Sequence, residues 1–253
     1  MAIAPRGLLF GTAGVPLSTS EDSSLAAIER IKAIGLDCLE IEFVKGVKMG
    51  LDTARKVREK AAALGVRLSV HAPYFINLNS EDPGKRLSSQ ERLLNTARVG
   101  AACGAGSVVF HAAFYGKDSA EKTYEAVKAE LKTLLSIVRT ERLPVTLRIE
   151  TMGKRSQFGS LDEVLMLCHD IDGLQPCLDF SHLYAREGKV KSYPDFHRVL
   201  SKVARKLGPR ALRNVHIHIA GIHYGDKGEI KHLNLEEDAL LLKNLYLAQT
   251  TKS

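Results

Sequence analysis

Acids and imidazoles recur in this chain at one kind of place, directly after a short apolar run. His71 follows the run at 66–70, His111 follows 107–110, and Glu150 follows 145–149. Asp179 and then His182 follow 176–178, and His216 and His218 alternate with Val215, Ile217 and Ile219. Runs of this kind read as buried strands, along which successive side chains alternate faces. Imidazole and carboxylate without thiolate suit zinc, manganese or iron, and a shared carboxylate can bridge two ions. Taken singly, each residue has a plainer reading. A lone His after a strand is usually a hydrogen-bonded structural residue, a lone Glu is solvated or paired, and an Asp there is a turn or helix cap. Their joint occurrence argues for one metal site. Asp179 and His182 can share it only if their strand ends between them. His216 and His218 point to the same side of their strand, and periodicity does not choose between them as ligand. His169 and His197 fall in helical stretches and read as surface or packing residues, whereas His223 and His232 flank a polar loop as outer ligands or solvated side chains.

The elements that must carry these residues alternate along the chain. Strands are expected at 8–12, 38–44, 66–70, 107–110, 145–149, 176–179 and 215–219, with helices at 20–34, 51–64, 85–103, 119–139, 161–169 and 193–207. Seven strands alternating with helices over short connections specify a parallel sheet with helical crossovers. A doubly wound sheet calls for a glycine fingerprint after its first strand, and residues 10–16, with Gly11, Gly14 and Pro16, fit a phosphate cradle poorly. Ligand-type residues at the ends of successive strands fit a ring whose C-terminal strand ends share one mouth. The expected fold is therefore a TIM (β/α)8-type barrel, a single domain over 1–253. The eighth unit is deficient: a polar loop at 221–231 leads to one helix at 236–247 without a convincing strand, so the eighth β/α unit reads as truncated.

Composition narrows the class. With 45% hydrophobic and 26% charged residues, the 253-residue chain reads as an ordinary soluble protein long enough to bury a sizeable core. The sequence carries neither an apolar run of bilayer length nor a secretory pattern at its start, and four scattered cysteines read as reduced thiols of a cytoplasmic protein. A net charge of +7 permits a polyanionic partner without demanding one.

In order and spacing, the motifs at 71–78 (HAPYFINL), 110–111 (FH), 150–154 (ETMGK), 178–182 (LDFSH) and 216–218 (HIH) resemble those of the endonuclease IV family. These are apurinic/apyrimidinic endonucleases of the xylose isomerase-like TIM-barrel superfamily. The resemblance spans roughly residues 8–232, and 153–159 and 221–225 are similar to the shorter archaeal branch in particular. It implies a monomeric phosphodiester hydrolase with two or three Zn2+ ions (Mn2+ or iron as alternatives) and no organic cofactor. Its expected partner is double-stranded DNA, incised 5′ to abasic sites in base excision repair.

Carried over by motif, His71, His111 and Glu150 would hold one ion. Glu150, Asp179 and His218 would hold the second, with Glu150 bridging and serving the reaction. His182 would hold the third, with Glu229 and His232 standing nearest to the family's acid and histidine there. Tyr74 and Phe75 match the position that enters DNA, their plainer reading being loop packing. Lys154 and Arg186 would hold the phosphate backbone, together with Lys45, Lys48, Lys117 and Arg155, all following strand ends. The chain departs from the family where an eighth strand ends in a metal-binding Glu; Glu236 and Glu237 stand at a helix start, where acids are expected anyway. Two other classes compete: a sugar or sugar-phosphate isomerase/epimerase using one divalent metal with Glu150 and Asp179, and a catalytically inert binder of abasic DNA.

Overall fold

The computed structural model describes residues 7–188, 190–225 and 228–233. Along the chain run β1 (Gly11–Ala13), α1 (Ser24–Ala33), β2 (Cys38–Glu42), α2 (Leu51–Leu64), β3 (Arg67–His71), α3 (Pro83–Cys103), β4 (Ser107–Phe110), β5 (Ala113–Phe114) and α4 (Ala120–Thr140). They are followed by β6 (Thr146–Glu150), β7 (Gln157–Phe158), α5 (Leu161–Asp170), β8 (Gln175–Asp179), α6 (Phe180–Glu187), α7 (Tyr193–Leu207), β9 (His216–His218), β10 (Gly221–Gly225) and β11 (Gly228–Leu233). The chain divides into two compact units, one of 1–76, 87–110 and 136–147, the other of 77–86, 111–135 and 148–253.

In the first unit β1, β2, β3 and β4 pair in sequence order, all parallel, with Thr12 opposite Leu39, Leu39 opposite Leu68, and Val70 opposite Val108. Helix α1 is started by Ser23, whose Oγ accepts the Ala26 N–H at 3.1 Å, and it buries the stripe Ala27, Ile28 and Ile31. Helix α2 buries Ala54, Val57 and Ala61 and stops at Gly65, whose left-handed φ of 69° a side chain would strain.

In the second unit β6, β8 and β9 are parallel neighbours, Glu150 opposite Cys177 and Asp179 opposite His218. Their alternation sorts side chains by chemistry. Leu178 joins a buried cluster with Leu161 and Leu165 of α5 and Phe196, Val199 and Leu200 of α7, and Ile217 packs against it. Cys177, Asp179, His216 and His218 take the opposite face. Helix α7 earns its place by spacing alone: Phe196, Val199, Leu200 and Val203 form one stripe, capped by the Ser192–Asp195 box.

The structure shifts several expected elements. The first strand starts at Gly11, leaving Leu8, Leu9 and Phe10 exposed. The polar stretch expected as a loop at 221–231 is a hairpin, with Ile222 opposite His232 and Tyr224 opposite Glu229. Its Gly and Lys content hid the alternation. A short ribbon, β5 with β7, and helix α6 were not legible as elements. The helix expected at 236–247, Glu236, Glu237 and the remainder of the eighth unit lie outside the described residues.

Candidate metal centre

Three strand ends of the second unit deliver the candidate ligands. Glu150 closes β6 fully buried, Asp179 closes β8, and His218 closes β9 beside it. One donor atom from each of Glu150, Asp179 and His218 lies within 4.8 Å of the others, a span that a single divalent cation draws together. The cross-strand register sets His218 beside Asp179, and places His216 one row back, opposite Cys177.

Helix α6 begins with no loop at all. Asp179 is both the last strand residue and the helix N-cap: its Oδ1 accepts the His182 backbone N–H at 2.7 Å. Its other oxygen, Oδ2, faces His182 Nδ1 at 3.6 Å and His218 Nδ1 at 4.0 Å. The cap uses one oxygen of this Asp and leaves the other facing the imidazoles. Helix α6 is held by Phe180 stacked on Phe196 with ring centres 4.4 Å apart, a burial contributing about 2 kcal/mol. Ser181 ties it to the hairpin, exchanging hydrogen bonds with the Ala220 N–H (2.8 Å) and carbonyl (2.7 Å).

The carboxylate of Glu150 divides its oxygens. Oε2 meets His111 Nε2 at 3.0 Å, while Oε1 meets His218 Nδ1 at 3.1 Å and His182 Nδ1 at 3.4 Å. Two oxygens directed to different imidazoles are what a bridging carboxylate needs. Burial pushes the Glu150 carboxyl up, but His218 and His111 beside it act together in the other direction and hold it well below the usual carboxylate range. His182 Nδ1 lies 2.9 Å from the Thr151 carbonyl, which makes Nδ1 the donor and Nε2 the nitrogen with a lone pair to offer a metal. In the first unit, His71 carries the same signature, its Nδ1 lying 2.8 Å from the Ala72 carbonyl. Nitrogen and oxygen donors with carbonyl-anchored imidazoles fit zinc, manganese or iron.

The loop after β6 starts against Asp179. Thr151 Oγ1 accepts the Asp179 N–H at 2.9 Å, and Gly159, at φ 135°, comes so close that a Cβ there would lie 2.7 Å from Met152 Cγ. Between them Lys154, Arg155 and Ser156 form an exposed turn. Arg186, expected to hold phosphate, has its guanidinium hydrogen-bonded within the protein. Nη1 donates to the Lys154 carbonyl at 2.7 Å and the Gln157 carbonyl at 2.9 Å, and Nη2 to Tyr115 Oη at 3.2 Å. Tyr115 in turn donates to Glu163 at 2.7 Å, and Glu163 accepts the Gly159 and Ser160 N–H groups at the start of α5. Burial and this hydrogen bond push the Tyr115 hydroxyl up to about 12. Sequence reasoning missed this network. The Ser160–Glu163 capping-box spacing was its one local signal.

Among the remaining expected residues, Tyr74 and Phe75 are 51% and 61% exposed in the first unit. Glu229 and His232 stand on β11, and their side chains lie outside the described residues. His223, His169 and His197 are exposed, His169 beside Asp170 at 3.0 Å.

Parallel strands bearing acids and imidazoles at their C-terminal ends, with helical crossovers, are the arrangement of metal-using β/α barrels. The chain belongs to the xylose isomerase-like TIM barrel family, whose model matches residues 28–243. It is 42% identical over 231 residues to an uncharacterized protein of Methanocaldococcus jannaschii, covering 91% of this chain and 82% of that one. It is 29% identical over 183 residues to a probable endonuclease 4 of Mycoplasma genitalium, covering 70% of this chain and 60% of the relative's length. Among solved structures, endonuclease IV from Thermus thermophilus superposes with a TM-score of 0.73 at 24% identity, over 95% of this chain and 87% of that one. A D-psicose 3-epimerase superposes with a TM-score of 0.65 at 17% identity, over 94% and 82%. Among the described residues no helix is long and apolar enough to cross a membrane.

Proposed function

We propose that this protein is a metal-dependent phosphodiester hydrolase, a single-domain TIM-barrel nuclease that incises double-stranded DNA 5′ to abasic sites. The observation that carries the reading is Glu150, buried, with its two oxygens directed to different imidazoles and its carboxylate grouped with Asp179 and His218. By motif, His71, His111 and Glu150 would hold one ion, Glu150, Asp179 and His218 would hold the second, and His182, Glu229 and His232 would serve a third. When bound, the ions supply hydroxide near neutral pH and neutralise phosphate charge. Asp179 and Glu150 hold and orient the imidazoles that frame the site, and the Thr151 carbonyl keeps the His182 proton on Nδ1. The exposed Lys154–Arg155 turn and the net charge of +7 support a polyanionic substrate. Exposed Tyr74 and Phe75 suit insertion beside a missing base, where extrusion costs least. The endonuclease 4 relatives support the same choice.

The experiment is incision of a duplex carrying one abasic site, with and without chelator, by the wild type and Glu150→Gln. Chelator-sensitive nicking that falls at least about 100-fold in the variant is expected. Absence of metal-dependent nicking overturns the reading. The epimerase-like superposition favours a second reading, a one-metal sugar epimerase using Glu150 and Asp179. Elemental analysis separates them: two or three ions per chain for the nuclease, one for the epimerase.

A further inference from the structure

Behind the carboxylate row of the candidate site lies a second row of a different chemistry. Cys177 and His216 are cross-strand partners, and Asp179 and His218 are the next pair along the same two strands. Side chains two residues apart share a face, so the four make a two-by-two patch, acid and imidazole at the strand ends, thiol and imidazole behind. Cys177 is wholly buried and His216 half-buried. Donor atoms of Cys177, His216 and His218 all lie within 4.8 Å of one another. The two imidazole rings of β9 stand edge to face with centres 5.2 Å apart.

We propose that Cys177, His216 and His218 form a second divalent-cation position, selective for thiophilic ions such as zinc, cobalt(II) and cadmium. Ordinary core packing is the competing account, and the strands themselves argue against it. Where β8 and β9 only pack, on their other face, they carry Leu178 and Ile217. The patch face carries polar donors instead, at the depth where apolar side chains would cost nothing. One thiolate with two imidazoles is a zinc-type donor set, whereas the Glu150, Asp179 and His218 set is also open to manganese and iron. Tetrahedral bonds to sulfur and nitrogen put donor atoms about 3.5 Å apart, so the three side chains, within 4.8 Å of one another, need close by no more than about 1.3 Å on binding. The thiol loses its proton to solvent as the sulfur–metal bond forms, and no electron is transferred.

The other cysteines are differently placed. Cys103 lies 3.3 Å from the Met49 sulfur, Cys38 stands beside Asp37 and Glu40, and Cys168 lies on α5. Among the described residues only Cys177 joins such a group. Sharing of His218 makes the sulfur position compete with the carboxylate position for one ligand. Soft ions in excess would then displace a hard ion from the Glu150 side.

Cobalt(II) alone, titrated into the purified metal-free protein, tests this without DNA or turnover. A sulfur-to-cobalt charge-transfer band in the near ultraviolet is expected in the wild type and absent in Cys177→Ser and His216→Asn. Both variants should keep the visible bands of cobalt bound to nitrogen and oxygen. His216→Asn decides the matter if Cys177→Ser fails to fold. Cobalt bound by the wild type without the sulfur band, or a band surviving in a folded variant, overturns this proposal and leaves the nuclease reading standing. No cobalt band of either kind overturns both.

Discussion

Replacing Arg186 by Ala separates two roles for a residue that sequence alone assigns to phosphate. The wild-type guanidinium donates to the Lys154 and Gln157 carbonyls at 2.7 and 2.9 Å, in a half-buried setting. Charged-donor hydrogen bonds contribute about 1.5 kcal/mol each at the lower end of their range, so the loss is about 3 kcal/mol. For a chain of this size that lowers the melting temperature by about 9 °C. Thermal unfolding followed by circular dichroism reads it directly. Arg186→Lys should recover less than half of the loss, because an ammonium lacks the planar fork that spans two carbonyls and Tyr115. A phosphate-contacting Arg186 behaves otherwise: stability is kept, and the salt dependence of DNA binding falls by about one counterion. A melting temperature lowered by less than about 2 °C, with that drop in salt slope, refutes the clamp.

Four other outcomes are expected. Tyr74→Ala with Phe75→Ala should leave stability within about 0.5 kcal/mol, since both rings are exposed, while weakening abasic-duplex incision; a melting curve alongside the nicking assay checks both halves. Gly159→Ala should cost about 2 kcal/mol or more in urea unfolding, because φ 135° and a 2.7 Å approach to Met152 leave no room for a methyl group. Tyr115→Phe should cost about 1–2 kcal/mol by leaving Glu163 short of a donor, and an unchanged unfolding midpoint would contradict the network. Burial raises the Cys103 thiol from 9.0 to about 11. The folded state therefore favours the neutral thiol, and this stabilisation is complete below pH 9 and lost as pH climbs towards 11. Urea midpoints for the wild type should fall across that window more than those of Cys103→Ser, and parallel curves would count against it.

Most strand-end positions were legible because the signal is local. An apolar run ending in Glu150 or His71 exposes its own period, and the observed strands end on those residues. Asp179 was legible as either cap or ligand; one oxygen caps α6 and the other faces His182. Helix α6 escaped because it follows β8 with no intervening turn residues, so no break marks its start. The hairpin at Gly221–Leu233 escaped because its glycines and charges resemble a loop, and pairing between its own two arms overrides that composition.

From the sequence alone come the alternation of strands and helices, the donor types at strand ends and the positive charge, since each is a property of neighbouring residues. Only tertiary structure set His218 rather than His216 beside Asp179, engaged Arg186 with carbonyls and set Cys177 beside two imidazoles. The first and last of these depend on the register between strands nearly forty residues apart, where a slip of one residue turns every donor to the opposite face.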